Sequence, residues 1–113
     1  MRPERQEDRE LCADLVKVQW KTESGATRNE WAILEDISAS GACLEFEEFI
    51  PPDTVVSLQF KKDRCQARVK YCKPDKINYL LGVHFENGYR WSRRKFKPDH
   101  LIQFRIRNVR KNK

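Results

Sequence analysis

The chain has 113 residues and a mass of 13.5 kDa, enough for one small core and too little for a large multi-domain enzyme. Lys plus Arg number 23 against 17 Asp plus Glu, a net charge of +6 with a pI of about 9.3, so anionic partners are favoured. No run approaches the roughly 18 to 20 apolar residues of a membrane-spanning helix, and the opening MRPERQEDRE lacks the apolar stretch of a signal peptide. The expectation is a cytoplasmic protein without membrane insertion.

The elements read as short strands, because apolar residues recur at every second position rather than at helical spacing. Val16, Val18 and Trp20 alternate with Lys17, Gln19 and Lys21 and stop at Ser24-Gly25, a turn signal. In a second strand Trp31 and Ile33 alternate with Ala32 and Leu34, which are also apolar, so burial on both faces is expected. Leu44 and Phe46 alternate with Cys43, Glu45 and Glu47 in a third, ended by Pro51-Pro52-Asp53, where two prolines remove ladder donors.

Val56, Leu58 and Phe60 form a fourth strand, and Lys61-Lys62-Asp63 turns the chain. Ala67, Val69 and Tyr71 form the inward side of a fifth, with Gln66, Arg68 and Lys70 outward. Pro74-Asp75-Lys76 separates it from Tyr79, Leu81, Val83 and Phe85 in a sixth, which carries Leu80, Gly82 and His84 on its other face and closes at Asn87-Gly88. Six such strands joined by short turns suggest an antiparallel barrel or a small sandwich, and closure, which hides strand edges, favours the barrel.

Charge is unevenly spread: residues 1–87 hold thirteen bases and sixteen acids, whereas residues 88–113 hold ten bases and only Asp99. Over residues 98–109, Asp99 suits a helix cap, while Ile102, Phe104 and Ile106 alternate as a strand would, so this basic segment reads as a short C-terminal helix or as a tail. The four cysteines, Cys12, Cys43, Cys65 and Cys72, form no CxxC pair, and neither His84 nor His100 lies in a ligand cluster. Reduced thiols acting as small packing residues are expected, with no metal and no cofactor.

Two constellations carry possible chemistry. Arg5 and Arg9 lie four apart in a polar segment, and two guanidinium forks can converge on one phosphate, stack on a purine or read a guanine edge; equally, Glu4, Glu7, Asp8 and Glu10 can simply pair with them. Asp36-Ile37-Ser38-Ala39-Ser40-Gly41 sets a carboxylate, a hydroxyl and a glycine at fixed offsets between two strands. The carboxylate can accept from guanine N1 and N2, the hydroxyl can support it or cap the turn, and the glycine permits positive φ or close approach. An ordinary Asx or Ser turn has the same composition.

RxxxR followed 27 residues on, from Arg9 to Asp36, by D-x-S-x-x-G resembles the PilZ domain, a bacterial receptor module for the second messenger cyclic diguanylate (c-di-GMP). Gln66-Ala-Arg-Val-Lys-Tyr-Cys and Tyr79-Leu-Leu-Gly-Val-His-Phe are similar to that family's fifth and sixth strands, so the resemblance covers roughly residues 5–86. It implies one domain over residues 1–113: a mobile N-terminal arm (1–10), a six-stranded antiparallel β-barrel (11–86) and a basic C-terminal segment (87–113). It also implies that Arg5 and Arg9 bind phosphate and guanine, that Asp36 and Ser38 bind guanine, and that Gly41 keeps the turn open. Many members carry a further Arg directly before the first motif, where this chain has Glu4, which leaves one ligand or a stacked pair open.

The implied function is a non-enzymatic receptor that changes conformation on binding c-di-GMP and signals to an effector protein. The chain contains no nucleophile motif, no HExxH and no Gly-rich phosphate loop. Two alternatives stay open: a small basic barrel that binds nucleic acid through its C-terminal segment, with Trp91, Phe96 or Phe104 as stacking platforms, and a PilZ-like adaptor that no longer binds ligand.

Overall fold

The computed structural model describes residues 8–98. Arg5 and residues 99–113, which include most of the segment that the sequence leaves between helix and tail, lie outside the described residues. Six strands follow one another in the chain: β1 (Glu10–Lys21), β2 (Thr27–Ile37), β3 (Gly41–Phe46), β4 (Val55–Gln59), β5 (Arg64–Asp75) and β6 (Asn78–Phe85). All pairs are antiparallel, and the order β1-β2-β3-β6-β5-β4 closes on itself through a short β1–β4 contact, making an all-β barrel.

Alternation is what folds the sheet. Val16, Val18, Ala32, Leu34, Leu44, Val56, Leu58, Val69 and Leu81 all point inward and are essentially inaccessible, and each fully buried Leu or Val stabilises the fold by about 1.5–3 kcal/mol relative to exposure. Trp20 meets Phe46 edge-to-face at 5.4 Å inside one end of the barrel, where Arg28 lies over the indole and pairs with Glu48.

Three expectations from the sequence are corrected. β2 is not buried on both faces: Ala32 and Leu34 face the core, whereas Trp31 and Ile33 stand on the outside, 56% and 40% exposed. Pro74 does not separate β5 from β6 but lies within β5, opposite Tyr79; β4 pairs with β5 only up to Arg68, so the missing N–H of Pro74 costs no ladder bond on that side. Tyr71 does not continue the inward row of Ala67 and Val69. A bulge between Val69 and Tyr71 inserts one residue, after which Tyr71 pairs with outward Gly82 and Cys72 with buried Leu81, turning the tyrosine onto the outer surface.

The chain after β6 belongs to the core as far as Phe96. Trp91 and Phe96 are buried, and Phe96 packs on Phe60 at 4.9 Å between ring centroids. Tyr89 stacks edge-on against Phe85, and its hydroxyl donates to Asp63 at 2.7 Å.

Candidate functional site

The outer row exposed by the β5 bulge defines the site. Leu11, Asp36, Cys43, Gly82 and Tyr71 are successive cross-strand neighbours from β1 through β2, β3 and β6 to β5. Register shifts flank Asp36 on both sides, between Leu11 and Asp14 and between Leu34 and Asp36. These irregularities aim the carboxylate outward at the end of β2, where a regular strand would alternate it away from its neighbours.

Arg9, immediately before β1, donates from Nη1 to Asp36 Oδ1. The two sequence motifs, 27 positions apart, therefore meet in one ion pair, with the Arg9 side chain half exposed and Asp36 largely covered. Glu10, the next residue, pairs with Arg93 at 3.0 Å, which ties the start of β1 to the segment after β6.

Ser38 and Gly41 build the turn between β2 and β3. Ser38 is buried, and both its amide (2.8 Å) and its hydroxyl (3.3 Å) donate to the Gly41 carbonyl. The hydroxyl thus serves the turn itself. The carbonyls of Ala39 and Ser40 accept from the amides of Trp91 and Phe85 at 2.9 and 2.8 Å, so the loop is held from behind by the segments that follow it. Gly41 is needed for close approach: a Cβ there would lie 2.4 Å from the Val83 carbonyl oxygen on β6.

Tyr71 and Cys43 complete the surface and were not singled out by either motif. The Tyr71 ring lies over Gly82, where any Cβ would meet the ring at 2.3 Å, and its hydroxyl donates to Cys43 Sγ at 3.9 Å. Lys73 Nζ sits 4.8 Å from the centre of the same ring. The signal in the sequence was the adjacent pair Tyr71-Cys72, which interrupts strict alternation at the bulge. Burial, followed by the neighbouring Cys43, raises the Tyr71 hydroxyl above its ordinary value, opposed by the nearby Arg9 charge.

Electrostatically the floor is acidic. Glu35 is held above the usual carboxylate range, first by burial and then by its hydrogen bond with Glu45. The Cys12 thiol is pushed up to about 12 by burial and by Asp36, Asp14, Glu10 and Glu35. Against this ground the fold sets Arg9 on Asp36 and Arg93 on Glu10. The Arg9 fork, the Asp36 carboxylate and the Tyr71 ring offer an anion donor, a donor-accepting edge and a flat aromatic face, a combination suited to a planar base carrying a phosphate. Among the described residues no group of three or more His, Cys, Asp or Glu side chains is placed to hold a metal ion, and no helix is long and apolar enough to cross a membrane.

Comparisons with known proteins place this geometry in context. A family model described as the PilZ domain matches residues 3–97. Among solved structures, the PilZ domain of YcgR from Escherichia coli with c-di-GMP superposes with a TM-score of 0.55 at 15% identity, covering 75% of this chain and 79% of that one. The K. pneumonia MrkH–c-di-GMP complex gives 0.60 at 15% identity, over 100% of this chain and 57% of that one. The Bacillus subtilis inhibitor of motility MotI/DgrA gives 0.59 at 14% identity, over 99% and 54%. The chain thus spans little more than half the length of MrkH and of MotI/DgrA. Comparison with curated protein sequences returns no match.

Proposed function

The chain belongs to the PilZ domain family, and from that premise we propose that it is a non-catalytic receptor for c-di-GMP which passes ligand binding on to an effector protein. The observation that carries this reading is the Arg9–Asp36 contact, which joins the two family motifs on one outer face of the barrel. Solved PilZ-fold structures described as c-di-GMP complexes support the choice of ligand.

In this reading the ligand replaces the internal pair. Asp36 gives up Arg9 and accepts the N1 and N2 donors of a guanine, a two-point contact matched to a carboxylate. Arg9, joined by Arg5 from the arm, turns its fork to phosphate, and Tyr71 lies against the base. Ser38 and Gly41 act by shaping the turn that aims Asp36. The exchange replaces one ion pair, half exposed on its Arg9 side, by charge-assisted hydrogen bonds to the ligand that contribute about 1.5–3 kcal/mol each.

Calorimetric titration with c-di-GMP, with GTP and cyclic GMP as controls, tests the proposal and gives the stoichiometry that Glu4 leaves open. Arg9→Ala and Asp36→Ala are each expected to weaken binding by about 1.5–3 kcal/mol, roughly ten- to 150-fold in Kd, with the thermal midpoint kept near wild type. Undiminished affinity in both variants, or a flat titration of the folded wild type, overturns it.

A further inference from the structure

Tyr71 lies flat across the sheet. It is rooted on β5, its ring rests on Gly82 of β6, and its hydroxyl reaches Cys43 of β3 at 3.9 Å. One face of the ring is therefore covered by backbone, and the other is turned to solvent. That open face has an occupant. Lys73, two residues further along the same side of β5, holds its ammonium over the ring, 4.8 Å from the centre. Lys73 is exposed, and among the described residues it has no ion-pair partner, so what keeps it there is the attraction of a cation for the ring, which is weak at an exposed position.

A base laid against Tyr71 can use only that outer face, and so it displaces Lys73. The site thus shows one arrangement twice. Asp36, the acceptor suited to a guanine edge, carries Arg9, and Tyr71, the platform suited to a guanine face, carries Lys73. Each surface that can read a base is covered by a cation that the base would set loose. The two cations come from opposite sides: the Arg9 charge is felt at the Tyr71 hydroxyl, at the end of the ring nearest Cys43 and its neighbour Asp36, whereas Lys73 approaches from β5. From Asp36 on β2 through β3 and β6 to β5 there are three inter-strand steps. At about 4.8 Å each these make roughly 14 Å, a span that two long side chains can close from its two edges over a ligand lying on Tyr71.

We propose that Lys73 is the second phosphate-binding residue of this site: it leaves the Tyr71 face when a base stacks there and pairs with the phosphate of a cyclic dinucleotide that Arg9 does not take. Each phosphodiester of c-di-GMP carries one negative charge, and beside Asp36 each gains from a cation of its own. A lysine suits the task, since its ammonium is a point charge on a flexible four-carbon stem that can swing from ring to phosphate. The inference deepens the receptor reading and rests on it.

Calorimetric titration of Lys73→Met with c-di-GMP tests the role, because methionine keeps the reach of the side chain and loses its charge. Kd is expected to rise about tenfold, the low end for a charge-assisted contact because the side chain is exposed. That loss belongs to about 0.01 M salt, where the Debye length is about 30 Å, and should largely vanish at about 1 M, where it is about 3 Å. Nuclear Overhauser contacts between the Lys73 Cε protons and the Tyr71 ring protons read the displacement: they are expected in the free wild type and lost with saturating c-di-GMP. A thermal melt confirms that the variant folds. Unchanged or tighter binding by Lys73→Met, a loss that ignores salt, or ring contacts that are absent from the free protein or persist in the complex overturns the proposal. A flat titration of the wild type removes the receptor reading and this inference together, whereas wild-type binding that is indifferent to Lys73→Met removes this inference alone.

Discussion

Gly41→Ala tests whether the site turn is fixed by contact between backbones. The added Cβ would lie 2.4 Å from the Val83 carbonyl oxygen, and the obstacle is main chain of the paired strand, which has no rotamer to escape into. Relief requires β3 to lift from β6 at the Gly41–His84 step. Overpacking of this kind costs about 1–3 kcal/mol, and one weakened ladder bond adds about 0.5–1.5 kcal/mol. Against this, the alanine restricts the unfolded chain and returns about 0.4–1 kcal/mol. The net loss is about 0.5–4 kcal/mol with a centre of about 2, and each kcal/mol lowers the thermal midpoint by roughly 4 °C for a domain of this size. Urea and thermal unfolding measure it directly. Gly82→Ala is the internal control: its Cβ meets the Tyr71 ring at 2.3 Å, a side chain that can swing outward, so less stability is lost and Tyr71 fluorescence changes instead. A Gly41→Ala protein within about 0.5 kcal/mol of wild type, the usual range of a harmless surface change, would refute the argument.

Two further outcomes follow from the titrating groups. Glu35 has a folded pKa above its ordinary 4.5, from burial and then Glu45; the folded state therefore binds its proton more tightly than the unfolded one, and stability falls as pH rises from 4.5 toward the folded value. Glu35→Gln should flatten that fall and raise the midpoint at neutral pH, and an unchanged pH profile in urea melts would contradict it. Cys12 and Cys65 are both pushed up to about 12, chiefly by burial, so thiol reagent at about pH 8 should modify them only at the rate at which the barrel opens; mass spectrometry showing both alkylated at the speed of a free thiol in native buffer would contradict it.

Much of the barrel was legible because alternation is a direct imprint of one buried face. Val56, Leu58, Ala67, Val69, Leu81 and Val83 point inward as the period of two requires, and Asn87-Gly88 turns where the sequence predicts, both with positive φ. What failed has more than one cause. Alternation specifies a face only while the register is unbroken, and an inserted residue, invisible as composition, reverses it. Tyr71 moved from core to site in this way. Trp31 and Ile33 were misplaced for a different reason: apolar composition does not by itself place a side chain inside, since apolar atoms make up much of any folded surface. The motifs singled out Arg9 and Asp36 separately, and their ion pair appears only in the fold; the turn-capping role that the sequence allowed the Ser38 hydroxyl is the one its bond to the Gly41 carbonyl shows.

The acidity around Asp36 bears on how a dianionic ligand can be held there at all. Burial raises the Cys12 thiol most, and Asp36, Asp14, Glu10 and Glu35 add to it, so several carboxylates lie close to this site. A phosphate arriving on this floor meets repulsion unless cations come with it. The fold supplies Arg9 already in position, parked on the carboxylate that the proposed guanine would occupy. On the proposed reading one arginine has two tasks: it pairs with Asp36 in the free protein, and it would be released toward phosphate by the same contact that fills Asp36 with base donors. Base recognition and phosphate recognition are coupled through that exchange. A ligand offering only one of them must either leave Arg9 on Asp36 or leave Asp36 unpaired; GTP and cyclic GMP each offer both a guanine and a phosphate, and so as controls they test whether the site also reads the spacing that a cyclic dinucleotide sets between the two.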